Sequence, residues 1–441
     1  ASARVGRREN PDKGGDRDKE IGDHRVTFGL LTTVFNERGE EMKGPGFRRL
    51  VRYGGSSGLI VVLAVMFTLT STPAQGIDLA KGKGFRLNLD TTLSWGLRYR
   101  TDDRDMSIIS PHEGGTAYSV NGDDGNLNFD TGIASNALKA TVELDFAYKN
   151  FGFFVRGFGF YDYEIEDNDR ARTAIPESAM DRVGSRAEFL DYFAYLKFKL
   201  GKAPGEIRVG NQVLSWGEST FIQNGINVVN PVDVSALRVP GAELREALVP
   251  QGMVWASISP TNALTFEGFY QYEWRQVKID PPGSYFSTSD FAGVGGDHVF
   301  IGFGDFADTG EFPFFIQPAP DGRPFMAGPR QEDVRASDDG QYGLALRIFA
   351  SGLGNTEFGL YYINYHSRLP CVNGVAGTYQ GALNAQAAGA SAAAVIYQTF
   401  GVPPGVSPEV DALAAQAAQA AGTDAFTASM RYFFSFPEDI K

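Results

Sequence analysis

From Phe85 to Tyr99 the chain reads FRLNLDTTLSWGLRY, with apolar and polar positions in steady alternation. Phe85, Leu87, Leu89, Thr91, Leu93, Trp95, Leu97 and Tyr99 share one face, and Arg86, Asn88, Asp90, Thr92, Ser94, Gly96 and Arg98 the other. A period of two is the strand period, because successive side chains point to opposite sides. A globular strand has about 5–6 residues, whereas a tilted strand crossing a bilayer needs roughly 9–11. This segment is long enough to cross and to continue beyond.

Nine later segments repeat the pattern: Asn136–Lys149, Phe151–Tyr163, Ala187–Leu200, Glu206–Ser215, Gly252–Ser259, Leu264–Trp274, Gln341–Ala350, Thr356–His366 and Thr427–Phe436. In the fourth strand, Leu190, Tyr192, Ala194, Leu196 and Phe198 are expected on one side. The connections alternate in length. Those after odd-numbered strands are long, at about 100–135, 164–186, 216–251, 275–340 and 367–426, and the others are turns of a few residues. Transmembrane barrels segregate short periplasmic turns from long outer loops in this way, and a soluble sandwich has no reason to. The expected fold is all-β, a transmembrane antiparallel β-barrel with at least ten visible strands and long outer loops. Within the last loop, Ser407-Pro408-Glu409 opens a helix by capping rules and Gly422 closes it, predicting a helix over Pro408–Ala421. The chain stops at Pro437-Glu-Asp-Ile-Lys441, just past the tenth strand. A lipid-exposed sheet edge must be closed, so further C-terminal strands are expected beyond a truncated frame.

Upstream, Met42 begins a segment with Lys43, Arg48, Arg49 and Arg52, followed by the apolar run Leu59–Thr70 and the small residues Ser71–Gly76. This reads as a signal peptide over 42–76, because an apolar run of about 12 residues is shorter than the roughly 20 of a spanning helix. Residues 1–41 lack apolar periodicity and read as an upstream non-native extension. The barrel then occupies 77–441. Of 40 basic and 53 acidic residues, the first 76 positions hold 12 and 9, leaving 28 and 44, a net of −16. That balance excludes nucleic acid as a partner class. The single Cys371 rules out an internal disulfide framework.

Several longer motifs are also distinctive: Gly210-Asn-Gln-Val-Leu-Ser-Trp-Gly-Glu-Ser219, Gly225-Ile-Asn227, Asn230-Pro-Val-Asp233, Pro240-Gly-Ala-Glu243, Glu246-Ala-Leu-Val-Pro250, Asp123-Asp-Gly-Asn-Leu-Asn-Phe129 and Tyr365-His-Ser-Arg-Leu-Pro370. With them the chain, from about Gly84 onward, resembles the Gram-negative family labelled domain of unknown function 1302. The resemblance implies an outer-membrane, channel-like protein with a longer C-terminus than this one. It also implies a periplasmic partner protein and an inner-membrane exporter of the resistance-nodulation-division type, and traffic of lipid- or sterol-like molecules. It offers no catalytic residues.

Read by its residues alone, the segment 216–250 leaves a strand end and is rich in turn residues, so it can fold into a lumen. Trp216 and Phe221 are candidate contacts for an apolar solute, and Glu218, Asp233, Arg238, Glu243 and Arg245 for a charged constriction. The alternative, favoured because buried charges usually pair, is that these groups cap and brace a structural loop at the barrel rim. Wall positions on the polar side carry both signs, with Lys139, Arg156, Lys197, Arg208, Arg347 and Arg431 set among Glu143, Asp145, Asp191, Glu206, Glu267 and Glu273. Mixed signs predict cross-strand pairing rather than ion selectivity. No HExxH, GxSxG, CxxC or P-loop pattern occurs, and His366 and Ser367 would point to opposite faces of a strand, so no enzyme activity and no cofactor are expected. Asn121–Asn126 and Glu166–Asp169 are oxygen-rich but lack calcium-loop spacing, so they are expected to be solvated loops. The expected function is an outer-membrane conduit for hydrophobic or amphipathic molecules, in contact with outer-membrane lipid. The alternative is a non-transporting surface barrel whose outer loops bind a partner.

Overall fold

A computed structural model describes residues 77–82, 84–217, 225–309, 312–316, 318 and 322–441. The expected signal peptide and upstream extension lie outside the described residues. One antiparallel sheet dominates. It begins with β1 (Ile77–Gly82), β2 (Phe85–Arg100), β3 (Gly132–Tyr148), β4 (Phe151–Asp162), β5 (Ser185–Leu200), β6 (Ala203–Gln212), β7 (Gln251–Thr261) and β8 (Leu264–Gln271), each pairing with the next. The connection that follows contains a separate small pair, β9 (His298–Phe300) with β10 (Ala327–Pro329). The sheet then resumes with β11 (Gln341–Ala350), paired to β8, and β12 (Thr356–Asn364). These make ten strands in one sheet, with β1 and β12 as unjoined edges, so the sheet is open. No helix among the described residues is long and apolar enough to cross a membrane.

Nine of the ten expected strands are in this sheet, within a few residues of the expected bounds. The tenth is a correction. Its residues divide between a helix that runs through Thr427 and β14 (Arg431–Ser435), which pairs with β13 (Cys371–Val375) in a separate two-stranded sheet. The alternation was genuine, since Tyr432, Phe434 and Phe436 are all buried. They pack on Trp274 and Ala336 of the loop region and not in the main sheet. The place of the tenth strand is taken by β1, whose six residues give too short a pattern to stand out.

The wall has two unlike faces. Phe151, Leu196, Ile207, Ala256, Gly268, Leu344 and Tyr362 follow one another in register across seven strands. Leu93 above that row is 67 % exposed, Leu344 62 % and Leu360 63 %. The opposite face carries Lys139, Thr141, Glu143, Arg156 and Glu267. There the expected pairing is present: Arg156 Nε meets its in-register neighbour Glu143 at 2.9 Å, Arg156 Nη1 meets Asp191 at 2.6 Å, and Arg347 meets Glu267 at 3.2 Å.

In β5 the single-face expectation fails. Val155 pairs with Tyr192 but Gly157 pairs with Phe189, so Leu190 and Asp191 together oppose Arg156. This is a β-bulge, which inserts one extra residue and reverses the phase of the strand. Leu190 therefore turns inward and is buried with Ala137, Phe158, Phe160 and Val239, while Phe189 and Tyr192 are both exposed on the apolar face.

The ladder sets all the long connections at one end of the sheet: 101–131, 163–184, 213–250, 272–340 and the segment after 364. Two helices form an antiparallel hairpin in that last segment, and only the second was expected; it runs Pro408–Thr427, past the predicted end at Ala421. The first, Tyr379–Phe400, is capped by Thr378, whose hydroxyl accepts from the Gly381 N–H. Its Ala- and Gly-rich composition concealed it. Ala392, Ile396, Ala414 and Ala417 form the seam between the helices.

Candidate functional site

The described parts of the segment 213–250, residues 213–217 and 225–250, fold back over the polar face of the sheet. The segment leaves β6 at Gln212 and is held by Asn230, whose amide accepts from the Leu214 N–H at 3.2 Å and donates to the Leu214 carbonyl at 2.7 Å. Farther on, Asp233 N–H donates to the Ala247 carbonyl at 2.7 Å and Val249 N–H to the Pro231 carbonyl at 2.9 Å, closing the segment on itself. Two short helices lie within it, α1 (Val234–Arg238) and α2 (Leu244–Ala247). Pro240 lies so close to the sheet that a Cβ on Gly96 would meet its Cβ at 2.5 Å. Only glycine fits opposite it.

A buried ion pair anchors the fold-over. Lys139 Nζ lies 2.5 Å from Glu246 Oε2, with both side chains almost fully buried. Thr141 Oγ1 donates to Glu246 Oε1 at 2.9 Å, and Glu243 N–H donates to Glu246 Oε2 at 3.0 Å. Lys139 also donates to the Gly241 carbonyl at 2.5 Å. Every strong group in the pair has a partner, which is what allows two charges to be buried.

The predicted site residues are brought together, but as braces. Trp216 is buried among Leu214, Val229, Met253, Phe269 and Ala345. Its indole N–H donates to Glu267 at 2.9 Å, and its ring lies 5.0 Å from Phe269 and 5.7 Å from Tyr361. Asp233 caps α1 by accepting from the Ala236 N–H at 2.8 Å, and it meets Arg186 at 2.8 Å and Lys278 at 3.4 Å. Burial pushes the Asp233 carboxyl up, yet Arg186, Lys278 and the Ala236 N–H outweigh it and hold the group below its ordinary value. Arg238 pairs with Asp280 at 2.6 Å and covers the Phe286 ring, with Arg98 on the same ring. Arg245 bridges Glu143 and Glu243, both at 2.7 Å. Glu218 and Phe221 lie outside the described residues.

Three groups in this region escaped the sequence reading as site residues: Glu246, Lys139 in its buried role, and Arg186. The signal available for Glu246 was its position three residues after Glu243 at a helix start, the spacing of a reciprocal cap.

The long loops carry a second constellation. Asp123, Asp124 and Asp290 each place a carboxylate oxygen within 4.8 Å of the others, the one grouping among the described residues whose donors suit a metal. The expectation of a solvated loop at 121–126 is thereby corrected, because Asp123 and Asp124 are buried. Thr173 donates to Asp124 at 2.8 Å and the Ser110 N–H to Asp123 at 2.9 Å, while Arg172 reaches Glu113 and Asp308 nearby. Burial and the charge of Asp124 push Asp290 up to about 8, and burial and Asp308 push Asp124 up to about 6. A carboxyl raised in the folded state stabilises packing at low pH and loses that contribution as pH climbs through the raised value. Protection from hydrogen exchange in loops 101–131 and 272–340 is therefore expected to fall at least tenfold between pH 5 and pH 9. Asp290→Asn should flatten the upper half of that change; a wild-type profile without any pH response would refute it.

His366 has both ring nitrogens occupied, Nε2 by the Asp339 carbonyl at 2.8 Å and Nδ1 by the Asp439 N–H at 3.1 Å. Ser367 Oγ donates to the Leu369 carbonyl at 2.7 Å.

Comparison with the curated proteins and with the solved structures returns no match. The motifs that build the fold-over segment lie inside a longer match: the family model described as protein of unknown function (DUF1302) covers residues 57–441, and the chain belongs to that family.

Proposed function

We propose that the sheet is the wall of an outer-membrane β-barrel and that the protein conducts hydrophobic or amphipathic molecules, with 213–250 as the element that narrows the path. One observation carries the reading: an apolar band runs in register across the strands on the face opposite a paired, charged one. Soluble monomers seldom expose a contiguous apolar patch beyond a few hundred Å², and a large aliphatic or aromatic side chain gains about 1.5–3 kcal/mol when removed from water. Lipid contact provides that removal. The gathering of all long loops at one end supports an outer face there and a periplasmic face at the short turns. A periplasmic partner and an inner-membrane exporter of the resistance-nodulation-division type belong to the same proposal, at the short-turn end.

Reconstitution into liposomes tests it. Full-length protein is expected to raise uptake of a lipid analogue above that of empty vesicles, and deletion of 216–250 should raise it further. Equal uptake in all three would overturn the conduit reading. Partner capture by the outer loops without uptake would favour the surface-binding alternative.

A further inference from the structure

Above the fold-over segment, a cavity of about 190 Å³ opens where the 163–184 loop, the 272–340 loop and the C-terminal segment meet. It is somewhat larger than the roughly 150 Å³ engineered cavity that holds benzene. Phe434, Phe436, Val277 and Ala292 supply apolar wall. Three cations line it, Arg182, Lys278 and Arg330, against one carboxylate, Asp333. Two of the cations are committed. Arg330 meets Asp333 at 2.5 Å and donates to the Gly293 and Gly296 carbonyls, while Lys278 meets Asp233 at 3.4 Å and Glu188 at 3.8 Å.

Arg182 differs. It sits in the last turn of the helix Glu177–Val183, half-buried, and its guanidinium makes neither a hydrogen bond nor an ion pair to any described residue. Burial lowers its pKa, and the carboxylates that offset this act only at a distance. A guanidinium presents a planar fork of donors that matches a carboxylate in two parallel bonds. A half-buried fork beside an apolar wall, left open, is complementary to one kind of guest.

We propose that this cavity binds a monoanionic amphiphile, a carboxylate on a compact apolar body, with Arg182 as the ligand of the anion and the Phe434–Phe436 wall as the seat of the apolar part. The inference deepens the conduit reading and rests on it only for the statement that the guest is the solute. Binding itself requires no transport.

The probes are benzoate and benzyl alcohol, which share a ring and differ in charge. They are titrated by calorimetry into the full-length protein in a zwitterionic detergent, with protein-free micelles as blank. Benzoate is expected to bind saturably and benzyl alcohol at least tenfold more weakly. Arg182→Gln should reduce benzoate affinity at least tenfold and leave benzyl alcohol unchanged, and Arg182→Lys should recover part of the loss. Ala292→Leu, which fills the apolar side, should weaken both. Far-UV circular dichroism confirms that each variant is folded. Absence of saturable benzoate binding, or equal benzoate affinity in wild type and Arg182→Gln, would overturn the proposal. Benzoate binding in a protein that fails the liposome test would leave this site standing and remove the conduit. Uptake without benzoate binding would do the reverse.

Discussion

Glu246→Gln is expected to detach the 213–250 segment from the sheet and to lower stability by about 3–5 kcal/mol, the range for removing one partner of a buried ion pair. The isosteric amide keeps shape and leaves the Lys139 ammonium buried without a counter-charge, 2.5 Å from where the carboxylate stood. It also turns an acceptor of three donors, from Lys139, Thr141 and the Glu243 backbone, into a group of which one end is itself a donor. Urea unfolding should show an earlier midpoint, and limited proteolysis should cut within 225–250 long before the strands. The double change Lys139→Met with Glu246→Leu should recover most of the stability, since apolar replacement of a whole buried pair is often neutral or better. Wild-type protease resistance in Glu246→Gln would show that the anchor lies elsewhere.

Leu344→Arg separates a lipid-facing wall from a water-facing one. Leu344 stands in the in-register apolar row between Gly268 and Tyr362 and is 62 % exposed. In water, such a surface change falls within about ±0.5 kcal/mol. At the middle of a bilayer, an arginine on the lipid face of a barrel costs about 2–4 kcal/mol. Folding titrations into phospholipid vesicles are expected to show the larger loss, with Leu344→Phe close to wild type. A neutral Leu344→Arg would count against the membrane-embedded reading of the whole apolar face.

Much of this was legible in the chain because strand side chains alternate strictly, so a long two-period pattern carries its own face assignment. Nine sheet strands and the loop segregation follow from that alone. The tenth strand shows where the reasoning runs out. Tyr432, Phe434 and Phe436 announce a buried strand face, but alternation does not say what covers it: Phe291 and Ala336 come from loop residues with no periodic signal, and Trp274, the last position of an expected strand, lies past the end of β8. The candidate site was half legible. The residue types that could line a constriction were picked out, but Arg238 and Arg245 are tied by pairing to Asp280 and Glu143, far away in sequence, and Arg245 in turn holds Glu243. Glu246, the anchor, looks in sequence like any surface glutamate. Its role comes from Lys139 and Thr141 on a strand more than a hundred residues earlier. Arg182 was invisible for a similar reason: it is notable for what does not approach it.

The bulge at Leu190–Asp191 fixes a phase in the evolution of this wall. Because two residues there oppose one, the stretch before it and the stretch after it are out of step, and both still turn their aromatic residues, Phe189 and Tyr192, the same way. At their spacing of three, an unbulged ladder would turn one of these rings toward the charged groups, whereas loss of one of the two bulge codons would restore plain alternation with both rings still outward and would remove Leu190 or Asp191 from the inner face. The extra residue is therefore expected to persist among relatives that keep both an inward apolar side chain and a carboxylate partner for Arg156 at this point, and to be dispensable in those that have lost one of them.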